Sequence, residues 1–186
     1  MWRSPKATVL AAGLFAFASQ ARAEGPRRFD VEPGQAMVNV TLGTTSQVSA
    51  VSLGLEGSLH ESNEQLRAEL RVPLKSFASG KTASDAKVLA AADSAESPIL
   101  LFEGTGQAPG QDGRTRFTGQ LTLHGVTQPI EVPATLTRIG DRIYVHASFP
   151  LPLGKFGVKL PGLGGLLHID LDASLRPVPE TLASSG

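Results

Sequence analysis

The chain has 186 residues, with 17 Lys and Arg against 17 Asp and Glu, and it contains no cysteine. This length suits one modest domain, and the hydrophobic fraction of 41% argues against disordered and fibrous classes. The lack of cysteine excludes disulfide scaffolds, thiol catalysis and Cys-rich zinc sites, while the balanced charge gives no basis for broad nucleic-acid binding.

The first 23 residues have the pattern of a secretory leader. Two basic residues precede an apolar run over 7–18, which is too short to span a bilayer, and Ala21-Arg22-Ala23 provides a small-x-small cleavage site. We therefore predict a cleaved signal peptide over 1–23 and a single mature domain over 24–186 that is periplasmic or secreted. A short retained membrane anchor is the alternative.

Apolar and polar residues alternate along most of the remaining chain, as in strands with one buried face and one solvated face. The clearest example runs from Leu66 to Leu74, where apolar residues occupy every second position. Eight such rows are predicted, and they span, in chain order, Val38–Leu42, Val51–Leu55, Leu66–Leu74, Ile99–Glu103, Phe117–Leu123, Ile130–Leu136, Ile143–Phe149 and Ile169–Leu175.

The connections between the rows predict antiparallel neighbours. Asp112-Gly113 and Gly140-Asp141 contain residues that tolerate the positive φ angles of tight hairpins. The Ala-rich segment over 84–93, with possible N-caps before it, predicts one short helix. Eight antiparallel strands can close into a barrel, which removes exposed edges and leaves an interior able to hold one small ligand.

Three further segments are assigned from composition. The stretch from Pro150 to Gly165 is rich in Pro and Gly and predicts one long irregular loop, with a binding lid and a simple crossover equally open. Arg27 to Asp30 is predicted to be a solvated start, and residues 178–186 to be a flexible tail.

Asp170 and Asp172 are the strongest candidates for chemistry. Carboxylates two positions apart on a strand could serve a glycosidase or a metal site. Both alternate with Ile169 and Leu171, however, so the carboxylates face water if those apolar side chains point inward. We favour a solvated outer face.

Known catalytic and nucleotide motifs are incomplete or missing in the sequence. Gly80-Lys81-Thr82 is similar to the end of a phosphate-binding loop, but Lys75 stands where that loop needs its first glycine. Neither a nucleophile elbow nor a His-Glu-x-x-His pair occurs. We predict no enzymatic activity, no catalytic residue, no metal and no cofactor.

Two sequence blocks resemble one known family. Residues Phe117–Ile130 read FTGQLTLHGVTQPI, which closely resembles the signature of YceI-like proteins. Residues 72–80, 84–89 and 97–102 are similar to the family's strand, Asp-containing helix start and Pro-hydrophobic-x-Phe strand, although the helix start lacks the family's usual Arg and His. The resemblance covers essentially all of residues 29–177.

The resemblance implies an exported, lipocalin-like antiparallel barrel that binds a long isoprenoid or similar amphiphilic lipid in its apolar interior, without catalysis. The predicted fold class is therefore all-β, an eight-stranded antiparallel lipocalin-like barrel with one short helix. The eight residues predicted to line the lipid cavity are Phe102, Phe117, Leu121, Leu123, Val132, Val145, Phe149 and Leu171.

An alternative reading is a secreted interaction or stress-response protein that acts through its surface and has a packed core without ligand. The predicted partner is a long-chain isoprenoid or another lipid, with no nucleic acid. A transient membrane contact and a homodimer are both left open.

Overall fold

The computed structural model describes residues 27–42, 48–82, 85–86, 89, 95–160 and 165–179. The predicted signal peptide over 1–23 and most of the predicted tail lie outside the described residues. The described strands are β1 Arg27–Leu42, β2 Val48–Ser52, β3 Glu56–Ser62, β4 Gln65–Pro73, β5 Ile99–Gln107, β6 Arg114–Leu123, β7 Val126–Ile139, β8 Arg142–Pro152 and β9 Leu166–Pro177. Two short 3-10 helices follow β4 and β8, at Leu74–Ser76 and Leu153–Phe156.

Eight of these strands form a closed ring. From β3 to β9 each strand pairs antiparallel with the next, and β1 closes the ring by pairing with β3 on one edge and β9 on the other. β2 is an extra strand that pairs with the second half of β1. The predicted fold class, an eight-stranded antiparallel barrel, is confirmed, and the strand that the alternation did not predict is β3.

β1 pairs with different strands along its length. Arg27–Asp30 pair with β3 and Val38–Leu42 pair with β2, while the pairing with β9 runs alongside both. The register against β9 shifts between Val31 and Ala36, and Gly34 there has a φ of 73°. A bulge of this kind bends a strand and increases its twist, which suits a strand that closes a barrel.

The predicted inward row at Val51 and Leu53 is wrong. These two side chains are 38% and 62% exposed, whereas Ser52 is fully buried. Val38 and Val40 pair with Ser52 and Ala50, and directly paired residues share a face, so Ser52 belongs to the inner row.

Hydrogen bonds explain how a serine can occupy that inner position. The Ser76 hydroxyl donates to the Pro73 carbonyl at 2.5 Å, so at the 2.6 Å contact between the two serines Ser52 Oγ is the donor. Ser52 Oγ in turn accepts the Gly54 N–H at 3.0 Å. A buried hydroxyl with this set of partners carries no desolvation penalty that would expel it from the interior.

The prediction of a solvated start at Arg27–Asp30 is also wrong. These residues begin β1, and Phe29 is fully buried. The guanidinium carbons of Arg27 and Arg138 lie 5.5 and 5.2 Å from the centre of the Phe29 ring. Arg138 also donates to both carboxylate oxygens of Glu61, at 3.0 and 3.1 Å, so its guanidinium is held above the buried ring.

The predicted helix over 84–93 lies partly outside the described residues. In and just before this segment, the described residues Thr82, Asp85, Ala86 and Leu89 are helical. The predicted loop over 150–165 is shorter than expected, because Pro150–Pro152 belong to β8 and a 3-10 helix follows directly. Where the structure describes the chain, it contains no helix that is both long and apolar enough to cross a bilayer.

Candidate functional site: the barrel interior

The interior holds two adjoining apolar cavities, which we call the upper and lower chambers. The upper chamber is lined by side chains from β1 and β3–β9, and Ser58 is the only polar residue among its 24 described lining residues. The lower chamber lies toward the 3-10 helix Leu153–Phe156. Their volumes are about 90 and 100 Å³, several times the roughly 10–15 Å³ that one water molecule needs.

The inward rows predicted from alternation explain this apolar lining. Of the eight residues predicted to line a lipid cavity, seven line the upper chamber: Phe102, Phe117, Leu121, Val132, Val145, Phe149 and Leu171. Leu123 lines the lower chamber instead. The geometry brings all eight to the interior, and their role in ligand binding stays a prediction.

A glycine in the barrel wall makes room for an aromatic ring of the upper chamber. Gly104 of β5 and Gly119 of β6 lie directly opposite each other. A Cβ placed on Gly104 would lie 2.5 Å from Cζ of the Phe102 ring, so the ring occupies the space above a residue without a side chain. Phe102 can therefore lie close to the wall and leave the middle of the barrel open.

The lower chamber is lined in part by two polar side chains that belong to the connection between β4 and β5. Ser79 and Asp85 line it among otherwise apolar residues. The backbone N–H of Ser79 donates to Asp85 Oδ1 at 3.0 Å, and the Ser79 hydroxyl donates to the same oxygen. These bonds hold the carboxylate at the wall and leave the rest of the chamber apolar.

The 3-10 helix after β8 closes the lower end. Leu153 and Phe156 are 3% and 0% exposed, and Val158 just beyond is also buried. His124, in the turn between β6 and β7, has its ring Nδ1 3.0 Å from the Phe156 carbonyl oxygen, so Nδ1 carries the proton and donates. The histidine of the LTLHGVT block thus ties the β6–β7 turn to the segment that closes the barrel.

Three residues line both chambers and mark the boundary between them: Val40, Phe77 and Leu100. None of them was among the predicted lining residues. Phe77 follows a 3-10 helix and lies on no strand, so alternation cannot assign it a direction. The signal that could have found it is composition, because Phe77 is one of only six Phe residues outside the predicted leader.

The carboxylates considered for catalysis lie on the outer face of β9, as alternation predicts. His146 Nδ1 is 2.8 Å from Asp172 Oδ1, and both side chains are 56% exposed. Ser148 Oγ contacts both His168 Nε2 and Asp170 Oδ1, at 3.0 and 2.8 Å. In a catalytic triad the acid holds the other ring nitrogen of the histidine, so this cluster lacks that arrangement.

Within the described ranges, no group of three or more His, Asp or Glu side chains is placed to hold a metal ion. The packing of the barrel interior is the feature that departs most from that of an ordinary protein. Cores are normally close-packed with few voids larger than a water molecule, whereas this one contains two apolar chambers.

The fold and its interior together define a closed antiparallel barrel with an apolar internal cavity. Residues 29–175 match the family model of the YceI-like domain, and the chain belongs to this family. The family resemblance inferred from the sequence blocks is thereby confirmed.

Curated relatives match part of the chain. A UPF0312 protein of Pseudomonas putida strain F1 is 34% identical over 89 residues, which are 45% of this chain and 46% of that protein. A UPF0312 protein of Pseudomonas fluorescens strain SBW25 is 38% identical over 69 residues, or 34% of this chain and 35% of the relative. The chain thus spans about half or less of the length of these relatives.

Solved structures match more of the chain at lower identity. BcnA of Burkholderia cenocepacia superposes with a TM-score of 0.70 at 16% identity, over 78% of this chain and 99% of that one. A polyisoprenoid binding domain from Saccharophagus degradans, implicated in plant cell wall breakdown, gives a TM-score of 0.68 at 16% identity, over 81% and 98% of the two chains. At these identities the likeness shows the shared fold.

Proposed function

We propose that this protein binds a polyisoprenoid or a similar long amphiphile inside its barrel, as a carrier or storage protein. The observation that carries the proposal is the interior itself: 23 of the 24 residues that line the upper chamber are apolar, and a second apolar chamber continues beyond it. Family membership and the fold shared with a polyisoprenoid binding domain support the same ligand class.

Affinity would come from moving hydrocarbon out of water. Burial of apolar surface contributes about 25 cal/mol per Å², so roughly 300 Å² of ligand surface corresponds to about 7 kcal/mol before ordering costs. Before those costs are subtracted, that value corresponds to a dissociation constant of several micromolar. The outer ion pairs contribute nothing to this term, because they face water on the other side of the wall.

The alternative function, a packed barrel that acts through its surface, requires a filled core. The two chambers favour the lipid-binding function over this alternative. A homodimer and a transient membrane contact stay predictions.

Lipid binding is tested on protein purified from its own host. We expect native mass spectrometry to show a bound species that organic extraction releases, and mass analysis of the extract to identify a chain built from isoprene units. A protein that is consistently lipid-free and does not take up a fluorescent polyprenol analogue would contradict the proposal. Denatured protein from the same preparation is the control for lipid carried over non-specifically.

We further propose that the chain is exported, on the pattern of its first 23 residues. Cell fractionation should then place the protein outside the cytoplasm, with the mature N-terminus at Glu24. Recovery of the chain from the cytoplasm with residues 1–23 still attached would contradict export and leave the lipid-binding proposal untouched.

A further inference from the structure

The boundary between the two chambers is marked by the three residues that line both of them, Val40, Phe77 and Leu100. Val40 belongs to β1 and Leu100 to β5, and these strands are three positions apart in the ring of eight. The two residues therefore lie on different parts of the barrel wall. Because Phe77 lines both chambers together with them, its side chain lies at the boundary between the chambers.

Phe77 is held differently from the other two residues. Val40 and Leu100 belong to strands that are hydrogen-bonded on both sides. Phe77 lies in a connection: its N–H donates to the Leu74 carbonyl at 3.2 Å, and the next residue, Ala78, exchanges two 3.0 Å bonds with Val51. The backbone is therefore fixed on both sides of Phe77, while its side chain belongs to no strand.

The surroundings of the ring are not tightly packed. Phe77 is only partly buried although it contacts the core, and it borders the open space of both the upper and the lower chamber. A side chain that borders open space can move aside for a slender hydrocarbon chain at lower steric cost than one enclosed by close-packed neighbours.

From this geometry we infer that Phe77 determines which chain lengths the barrel holds. A short isoprenoid fits in the upper chamber alone, whereas a long one must pass Phe77 and extend into the lower chamber. The inference rests on the proposed lipid-binding function and specifies its selectivity. A bulkier side chain at position 77 should therefore penalise long chains and spare short ones.

The experiment compares two isoprenols, farnesol with three isoprene units and solanesol with nine, on the full chain and two variants. Phe77→Trp should weaken solanesol binding by about tenfold or more, since loss of contact with only two methylene groups has that effect. Farnesol binding should stay within about twofold. Phe102→Trp is the matched control: Phe102 lines the upper chamber alone, so this variant should weaken both isoprenols.

The outcomes separate the two proposals. If the wild type binds neither isoprenol, the lipid-binding function fails. If the wild type binds both but Phe77→Trp weakens them equally, or leaves solanesol unchanged, the role of Phe77 is overturned and the lipid-binding function stands. Should Phe77→Trp fail to fold by circular dichroism, Phe77→Leu provides the second test, with solanesol binding expected to tighten relative to farnesol.

Discussion

Replacing Gly119 with alanine is expected to lower the free energy of unfolding by about 3 kcal/mol, at the upper end of the effect of overpacking. A Cβ at this position would lie 2.1 Å from the Glu103 carbonyl oxygen and 2.5 Å from Cα of Gly104. Both are backbone atoms of the neighbouring strand, so β5 and β6 would have to separate. Urea denaturation of the two proteins measures the difference.

Gly154→Ala is the matched control for this substitution. No atom lies within 4 Å of a Cβ built on Gly154, and its φ is not in the left-handed region. Its stability should stay within about 0.5 kcal/mol of the wild type. Equal stability of Gly119→Ala and Gly154→Ala would show that the strands do not approach as closely at Gly119 as described.

Leu121→Trp should reduce the affinity for an isoprenol by about thirtyfold or more. Leu121 is 2% exposed and lines the upper chamber, so the indole would occupy space that the ligand needs. Losing roughly 80 Å² of ligand contact corresponds to about 2 kcal/mol, which is this change in affinity. Titration with a fluorescent isoprenol analogue measures it.

Gln120→Trp controls for the added indole, because Gln120 is the neighbouring residue on β6 and is exposed. Its affinity should equal that of the wild type. Full binding by Leu121→Trp would count against the interior as the ligand site, and weak binding by Gln120→Trp would point to the outer surface. A thermal melt of each variant establishes that the fold is intact before binding is compared.

The period-two alternation predicted the barrel well wherever apolar residues occupy the inner row. From Leu66 to Val72 and from Phe117 to Leu123, burial follows the predicted face. Alternation fails at Ser52, because two hydrogen-bonding contacts offset the cost of burying its hydroxyl. Alternation also did not predict β3, because this strand contains Ser58, His60 and Glu61 and has no regular apolar row.

The residues that line the candidate site could be predicted from the sequence, whereas its separation into two chambers could not. Lining residues such as Val132 and Leu171 follow from their strand positions, and the geometry places them at the cavity. The boundary between the two chambers includes Phe77, which lies in the connection after β4, next to the backbone bonds between Ala78 and Val51. Contacts between distant segments of this kind leave no local pattern in the sequence.

The pairing of β1 with β9 has a consequence for how the chain reaches its folded state. This contact joins residues near opposite ends of the domain, such as Phe29 and Pro177, whereas β4 to β9 pair with their immediate neighbours along the chain. Closing a long loop costs more conformational entropy than forming a hairpin. We therefore expect the meander to form first and the ring to close last, so that β1 and β9 carry the final, slowest step of folding.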